Sequence, residues 1–206
     1  MNMLTTVIFD FGGVLIDWNP RHLYRRFFNS AVEMEAFLTE IDFPGWTIHQ
    51  DRGRPFAEGV RELSDRFPHR AALIRAYQEH WAESVGSPIE GSLEILRMVK
   101  KAGYAVFGLS NWSLETFPQT SSKYDFFTLL DDYMLSGEVK SVKPDPLIFT
   151  LALNKFQRQA RECVFIDDSP ANIATADSLG FTCILFQSPS QLASDLERLG
   201  ILGKSE

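Results

Sequence analysis

Residues 7–17 read VIFDFGGVLID. An apolar run from Leu4 continues through Phe9, and Asp10 stands where the run gives out. The pattern is that of a short buried strand, and a charge at the end of such a strand is costly unless it has a task. Phe11 and the Gly12-Gly13 pair follow it rather than a second acid. Four further apolar runs of similar length lie downstream: Ala105–Leu109, Asp132–Leu135, Val164–Ile166 and Thr182–Phe186. Their β-branched and aromatic content favours strand over helix. Helical patterns lie between them. Leu93, Leu96, Met98 and Val99 precede a stop at Gly103. Leu147, Ile148, Leu151 and Leu153 follow a start at Pro144/Pro146, and Ile173, Ala176 and Leu179 end at Gly180. Alternation of this kind predicts an α/β fold, a Rossmann-like doubly wound parallel sheet with helices on both faces. Ligands of such sheets bind at the carboxyl ends of the strands.

The segment 18–88 breaks the alternation. It shows helical stretches around 20–28, 31–40, 56–66 and 70–83 and no convincing strand, with Asn19-Pro20 as a cap and first turn. It reads as a small helical cap domain inserted after the first strand. Residues 1–17 and 89–206 then form the catalytic core, with the boundaries near Asp17 and at Gly86-Ser87-Pro88.

The bulk properties suit one good core with an accessory unit: 206 residues, 45% hydrophobic, 23% charged, mean hydropathy -0.11. Aromatics at 13%, 17 of them Phe, predict a generous core and room for an apolar pocket. A net charge of -7 and a pI near 5.2 argue against nucleic acid or an anionic membrane as partner. Cys163 and Cys183 each sit in an apolar run and read as buried thiols. The first strand begins by about Leu4, leaving no room for a signal peptide, and no apolar run is long enough to span a bilayer. The expectation is a cytoplasmic monomer or homodimer.

Each candidate strand ends in something polar. The first ends in Asp10, the second in Ser110-Asn111 and the fourth in Asp167-Asp168, while Lys143-Pro144 opens a helix ahead of the fourth. Singly, each is a common turn former or helix cap. Together, on a sheet of one polarity, they converge on one edge. The chemistry that uses this set is displacement by a carboxylate, with Asp10 as nucleophile and a covalent intermediate that water breaks. Phosphate monoesters need accelerations of up to about 10²¹, and a carboxylate approaching a dianion needs its charge neutralised. Mg²⁺ takes one or two carboxylates with waters and phosphate; Asp10 and Asp168 supply them, with Asp167 as ligand, neighbour or cap. Lys143 would act as a point charge on the phosphoryl oxygens, and Ser110 and Asn111 would donate hydrogen bonds to them.

The motifs VIFDFGGVL, VFGLSNWS, SVKPDPLIF and CVFIDDSPANIATADSLG resemble the four motifs of the haloacid dehalogenase superfamily of hydrolases. The segment 18–88 is similar to that family's mobile cap. Within the family the chain looks nearest to a branch of sugar-phosphate phosphatases and the phosphatase domain fused to epoxide hydrolases. The resemblance implies a Mg²⁺-dependent phosphatase acting on a small phosphorylated metabolite, with Asp10 as nucleophile. It also makes the backbone carbonyl of Gly12 a metal ligand. Most phosphatases of the family carry a second Asp where this chain has Gly12. That acid protonates the leaving alkoxide, a contribution of about 10²–10⁴-fold. Gly12 keeps the carbonyl, loses the acid and permits a sharp turn under a phosphate. The rival readings are 2-haloacid dehalogenation, which uses no metal and has neutral residues in place of the fourth-motif acids, and a binder of a phosphorylated ligand without turnover.

Substrate choice is expected to rest on the cap. The stretch PGWTIHQDRGRPF, 44–56, is polar and aromatic, unlike the helices around it, and offers Trp46, His49, Gln50 and Arg52 to a substrate. The plainer alternative makes Trp46 core and Arg52 a solvated charge. His22, His69 and His80 read as surface residues without partners, and no spacing suits zinc.

Overall fold

The computed structural model describes residues 3–203. The chain forms β1 (Thr6–Phe9), β2 (Ile16–Trp18), β3 (Val85–Pro88), β4 (Ala105–Ser110), β5 (Asp132–Leu135), β6 (Cys163–Asp167) and β7 (Thr182–Leu185). Five of these make a parallel sheet in the order β5-β4-β1-β6-β7. The five expected strands are all present, each within about two residues of its expected bounds. The α/β reading of the sequence is thus confirmed.

Alternation along the strands divides the core between the two faces. Val7, Phe9, Val106, Val164 and Ile166 point to one side, where Leu93, Leu96, Val99, Leu192 and Leu196 cover them from the helices Glu90–Lys101 and Pro189–Arg198. Ile8, Phe107, Leu109 and Phe165 point to the other, against Phe149, Ala152, Phe156 and Ala176 of the helices Pro146–Phe156 and Pro170–Ser178. Gly103 and Gly180, both at φ +90, end two of the turns after these helices. One helix start moves. Lys143-Pro144 precedes the helix rather than opening it; the helix begins at Pro146, with the Asp145 carboxylate accepting from the Leu147 N–H at 2.9 Å.

Between β2 and β3 lie the helices Pro20–Tyr24, Ala31–Glu40, Phe43–Asp51, Phe56–Arg66 and Ala71–Glu79. Their interior is aromatic: Tyr24 meets Phe37 at 5.0 Å between ring centres, and Phe43 meets Tyr77 at 4.9 Å. Two features depart from the sequence reading. The stretch around 44–56 contains a helix, started by Asp42 as cap and Pro44 in the first turn. The ends of the segment contain strand: β2 and β3 pair antiparallel, Ile16 with Pro88 and Trp18 with Val85. They form a ribbon through which the chain both leaves and re-enters the sheet region. The three histidines also have partners, His22 with Asp17 at 2.9 Å, His69 with Glu40 at 2.7 Å and His80 with Glu83 at 3.3 Å. Cys163 is buried and Cys183 half-buried; both are free thiols, and burial pushes each up to about 12. Among the described residues no helix is long and apolar enough to cross a membrane.

Candidate active site

Register sets the site. Phe9 pairs with Gly108 on one side and Ile166 on the other, so the next residue, Asp10, lies level with Asp167. The Asp10 N–H donates to the Ile166 carbonyl at 2.9 Å, and one carboxylate oxygen accepts from the Phe11 N–H at 2.7 Å. Phe11 turns inward onto Gly108, where any side chain would collide with its ring. The other oxygen of Asp10 meets Lys143 Nζ at 2.9 Å.

Lys143 is buried, and its ammonium also donates to Asp167 at 2.6 Å and to the Leu109 carbonyl at 2.9 Å. Three donors meet three acceptors, which is how a buried ammonium is tolerated. Burial works against its charge, but Asp10 and Asp167 outweigh that and hold Lys143 above its ordinary range. Asp167 is fully buried, and it accepts from the Ser169 N–H at 2.8 Å and from Asn172 at 2.9 Å as well as from Lys143. Asn111 has a related role. Its amide donates to the Lys143 carbonyl at 3.0 Å and its oxygen accepts from the Lys143 N–H at 2.8 Å. Both side chains hold Lys143 in place, a function that the sequence reading did not give them.

Asp10 is 8% exposed. Burial raises it to about 7, against the pull of Lys143. Asp168, exposed at the cavity, is also raised, by partial desolvation and by Asp167 beside it. Carboxylate oxygens of Asp10, Asp167 and Asp168 lie within 4.8 Å of one another. Such a cluster of hard oxygens suits a small divalent cation.

The two glycines differ. Gly13 sits at φ +78, and a Cβ there would lie 2.2 Å from an Asp168 carboxylate oxygen, so this position is closed to any side chain. Gly12 has no such conformation, and its nearest neighbour would be Trp18 Cβ at 3.5 Å. The turn therefore depends on Gly13, and the lack of an acid at Gly12 is not a matter of space.

A cavity of about 310 Å³ opens over this edge, lined by Asp10, Gly12, Ser110, Asn111, Lys143 and Asp168 from the sheet side. The helical segment closes it with Asp51, Tyr77 and Trp81, the last 5.7 Å from Trp112 between ring centres. Trp46, His49 and Arg52 do not reach this cavity. Trp46 is buried, donating its indole N–H to the Gly59 carbonyl at 3.0 Å, while His49 and Arg52 are exposed. Gln50 is buried and accepts from Arg54. The helix Phe43–Asp51 accounts for the difference. Pro44, Thr47, Ile48 and Asp51 are spaced i, i+3, i+4 and i+7 and form the face toward the sheet edge.

Asp51 is the residue that the sequence reading passed over. Burial raises its carboxyl to about 8, opposed by the Ser113 N–H and assisted by the charge of Asp10. Its carbonyl accepts from the Ser136 hydroxyl at 2.6 Å, and that hydroxyl accepts from the Trp112 N–H at 2.9 Å. The end of this helix is thereby fixed to the loop after β4.

A family model for haloacid dehalogenase-like hydrolases matches residues 4–180. The chain belongs to this family. As a haloacid dehalogenase-like hydrolase it is similar to drimenol cyclase drtB of Aspergillus calidoustus, 31% identical over 96% of this chain and 37% of that protein. It thus spans little more than a third of that relative. It is also similar to D-ribitol-5-phosphate phosphatase of Bacteroides thetaiotaomicron, 24% identical over 87% of this chain and 90% of that one. Among solved structures, the hydrolase superimposes on a haloacid dehalogenase family enzyme from the same organism in complex with magnesium and inorganic phosphate. The TM-score is 0.70 at 20% identity, over 90% of this chain and 95% of that one. The sugar-phosphate phosphatase branch that the four motifs resemble is therefore represented among its relatives.

Proposed function

We propose that this hydrolase is a Mg²⁺-dependent phosphatase of a small phosphorylated metabolite, working through an aspartyl-phosphate on Asp10. One observation carries the reading: Asp10, Asp167 and Asp168 cluster within 4.8 Å around an edge where Lys143 supplies the only buried ammonium among the described residues. Halide displacement has no use for the fourth-motif acids, which disfavours the dehalogenase alternative. The relative named as a phosphatase and the neighbour bearing magnesium and phosphate agree with this choice.

The donors fit Mg²⁺. Asp10, Asp168 and the Gly12 carbonyl would hold it, with Asp167 engaged by Lys143; bound there, it would neutralise charge on the phosphate. The helical segment acts as the cap over the site. Asp10 attacks phosphorus as its P–O bond to the leaving group breaks, and Lys143 lowers the repulsion between carboxylate and phosphate. Asp51 gives its proton to the leaving oxygen. A water then attacks phosphorus and its proton passes to Asp51, releasing phosphate and restoring Asp10.

Chelation with EDTA is expected to stop release of phosphate from p-nitrophenyl phosphate, and Mg²⁺ to restore it. Chloride release from 2-chloropropionate in EDTA would favour the dehalogenase instead, and phosphate binding without release would favour the binder.

Asp51 must be protonated to act. With its carboxyl raised to about 8, turnover of alkyl phosphates should fall as pH rises through that value. Asp51→Asn should remove this alkaline limb and slow alkyl phosphates by about 10²–10⁴-fold, with aryl phosphates much less affected. Adding Gly12→Asp to that variant should recover part of the loss, because the Gly12 position has room for a side chain. An unchanged pH profile in Asp51→Asn would assign the proton to another group.

A further inference from the structure

The cavity over Asp10 continues into a second one of about 550 Å³, and the two share Trp18, Asp51, Asn111, Lys143 and Asn172. That volume is in the range that encloses a drug-sized ligand. Its far walls are apolar: Leu38, Phe43, Pro44 and Ile48 from two helices, facing Pro20 and Pro144. The polar groups there are few, and most are engaged. The Arg21 guanidinium is held by Glu35, and the Thr47 hydroxyl donates to the Pro44 carbonyl at 3.2 Å. Ser169 adds one further hydroxyl to the lining.

We infer that the alcohol released by this enzyme is lipophilic: the substrate is the phosphate monoester of an alcohol with an extended apolar chain. Its phosphate sits at Asp10 and Lys143, and its chain runs through the second cavity. This inference rests on the phosphatase reading and narrows its substrate. The walls favour it on both counts. An apolar chain gains by leaving water at about four-fold in binding per buried methylene. A polyol of equal length would place its hydroxyls against Leu38, Phe43 and Ile48, with few free partners, and desolvation would count against it. The shared residues make the two cavities one path, open to a chain attached to the phosphate.

The test is kcat/KM with Mg²⁺ for ethyl, butyl, octyl and dodecyl phosphate, all below their micellar concentrations. Ribitol 5-phosphate and p-nitrophenyl phosphate serve as references. The ratio to p-nitrophenyl phosphate should rise steeply with chain length until the path is filled, and ribitol 5-phosphate should fall below butyl phosphate. Ile48→Trp, which fills the path, should flatten that rise; taking the ratio within each variant removes any general loss of folded enzyme. A ratio independent of chain length, or a preference for ribitol 5-phosphate, would overturn the inference and leave the phosphatase intact. If no phosphate ester is hydrolysed, the phosphatase reading fails and the inference with it.

Discussion

Asp10→Asn is expected to lower phosphate release by several orders of magnitude while the protein stays folded. An amide cannot serve as the attacking oxygen anion, and no other carboxylate stands where Asp10 does, at the end of the central strand with Lys143 at 2.9 Å. The fold should tolerate the change. Asn retains an oxygen to accept from the Phe11 N–H, and Lys143 retains Asp167 and the Leu109 carbonyl. The replaced group is one whose ionisation the site resists, since burial raises Asp10 to about 7. Removing it relieves a charge that is unfavourable above that pH in the metal-free chain. Melting at pH 8 in EDTA should therefore stay near that of the parent, the relieved charge offsetting the acceptor that one ammonium N–H of Lys143 loses. Near-parental turnover in Asp10→Asn would remove Asp10 as nucleophile.

Lys143→Met should be the most destabilising substitution at the site. Methionine matches the length of the side chain but leaves Asp10 and Asp167 buried with no cation between them. Breaking a buried pair in this way costs about 3–5 kcal/mol. The deficit should depend on pH, and its sign follows from the groups left behind. In the parent, Lys143 is held above its ordinary value, so its charge and its contribution are present across the neutral range. In the variant Asp10, already raised by burial, loses the pull of Lys143 and is raised further. Its burial as an anion beside Asp167 then weakens the fold progressively as pH rises, whereas at pH 5 its protonation relieves it. Urea unfolding at pH 5 and pH 8 in EDTA should show the larger deficit at pH 8. An equal deficit at both would mean that Lys143 acts through packing alone. Turnover should be lost as well.

The strands of the sheet are legible because each is covered on both faces. Val7-Ile8-Phe9 and Val164-Phe165-Ile166 are continuous apolar runs rich in β-branched and aromatic residues, the pattern of strands buried on both faces. β2 and β3 leave no such trace. Three and four residues long, and containing Asp17, Gly86 and Pro88, they pair because the helices between them bring them together. The sheet-side polar groups are legible for a related reason: a parallel sheet delivers strand ends to one edge whatever the loops do. The work of Asn111 and Asp167 in holding Lys143 depends on side chains meeting across loops, which spacing does not reveal. On the opposite wall the stretch 44–56 is unlike the helices around it in sequence, which hides its faces; the helix Phe43–Asp51 turns Thr47, Ile48 and Asp51 to the cavity and Trp46 away from it.

The β2–β3 ribbon bears on how the chain finds its fold. Thr6 pairs with Ala105, nearly a hundred residues later, so direct pairing of β1 with β4 must close one very long loop. The ribbon offers a shortcut. Once Ile16 lies beside Pro88, the open chain between β1 and β4 shrinks to roughly a quarter of its length. Two halvings of a loop save about 1 kcal/mol of closure entropy. The saving falls on the encounter that nucleates the sheet, while closing the ribbon is left to short-range contacts among the helices it encloses. Any sequence of events in which those helices assemble first therefore turns a distant strand pairing into a near-local one, and the insert, once folded, adds little to the closure cost of the sheet.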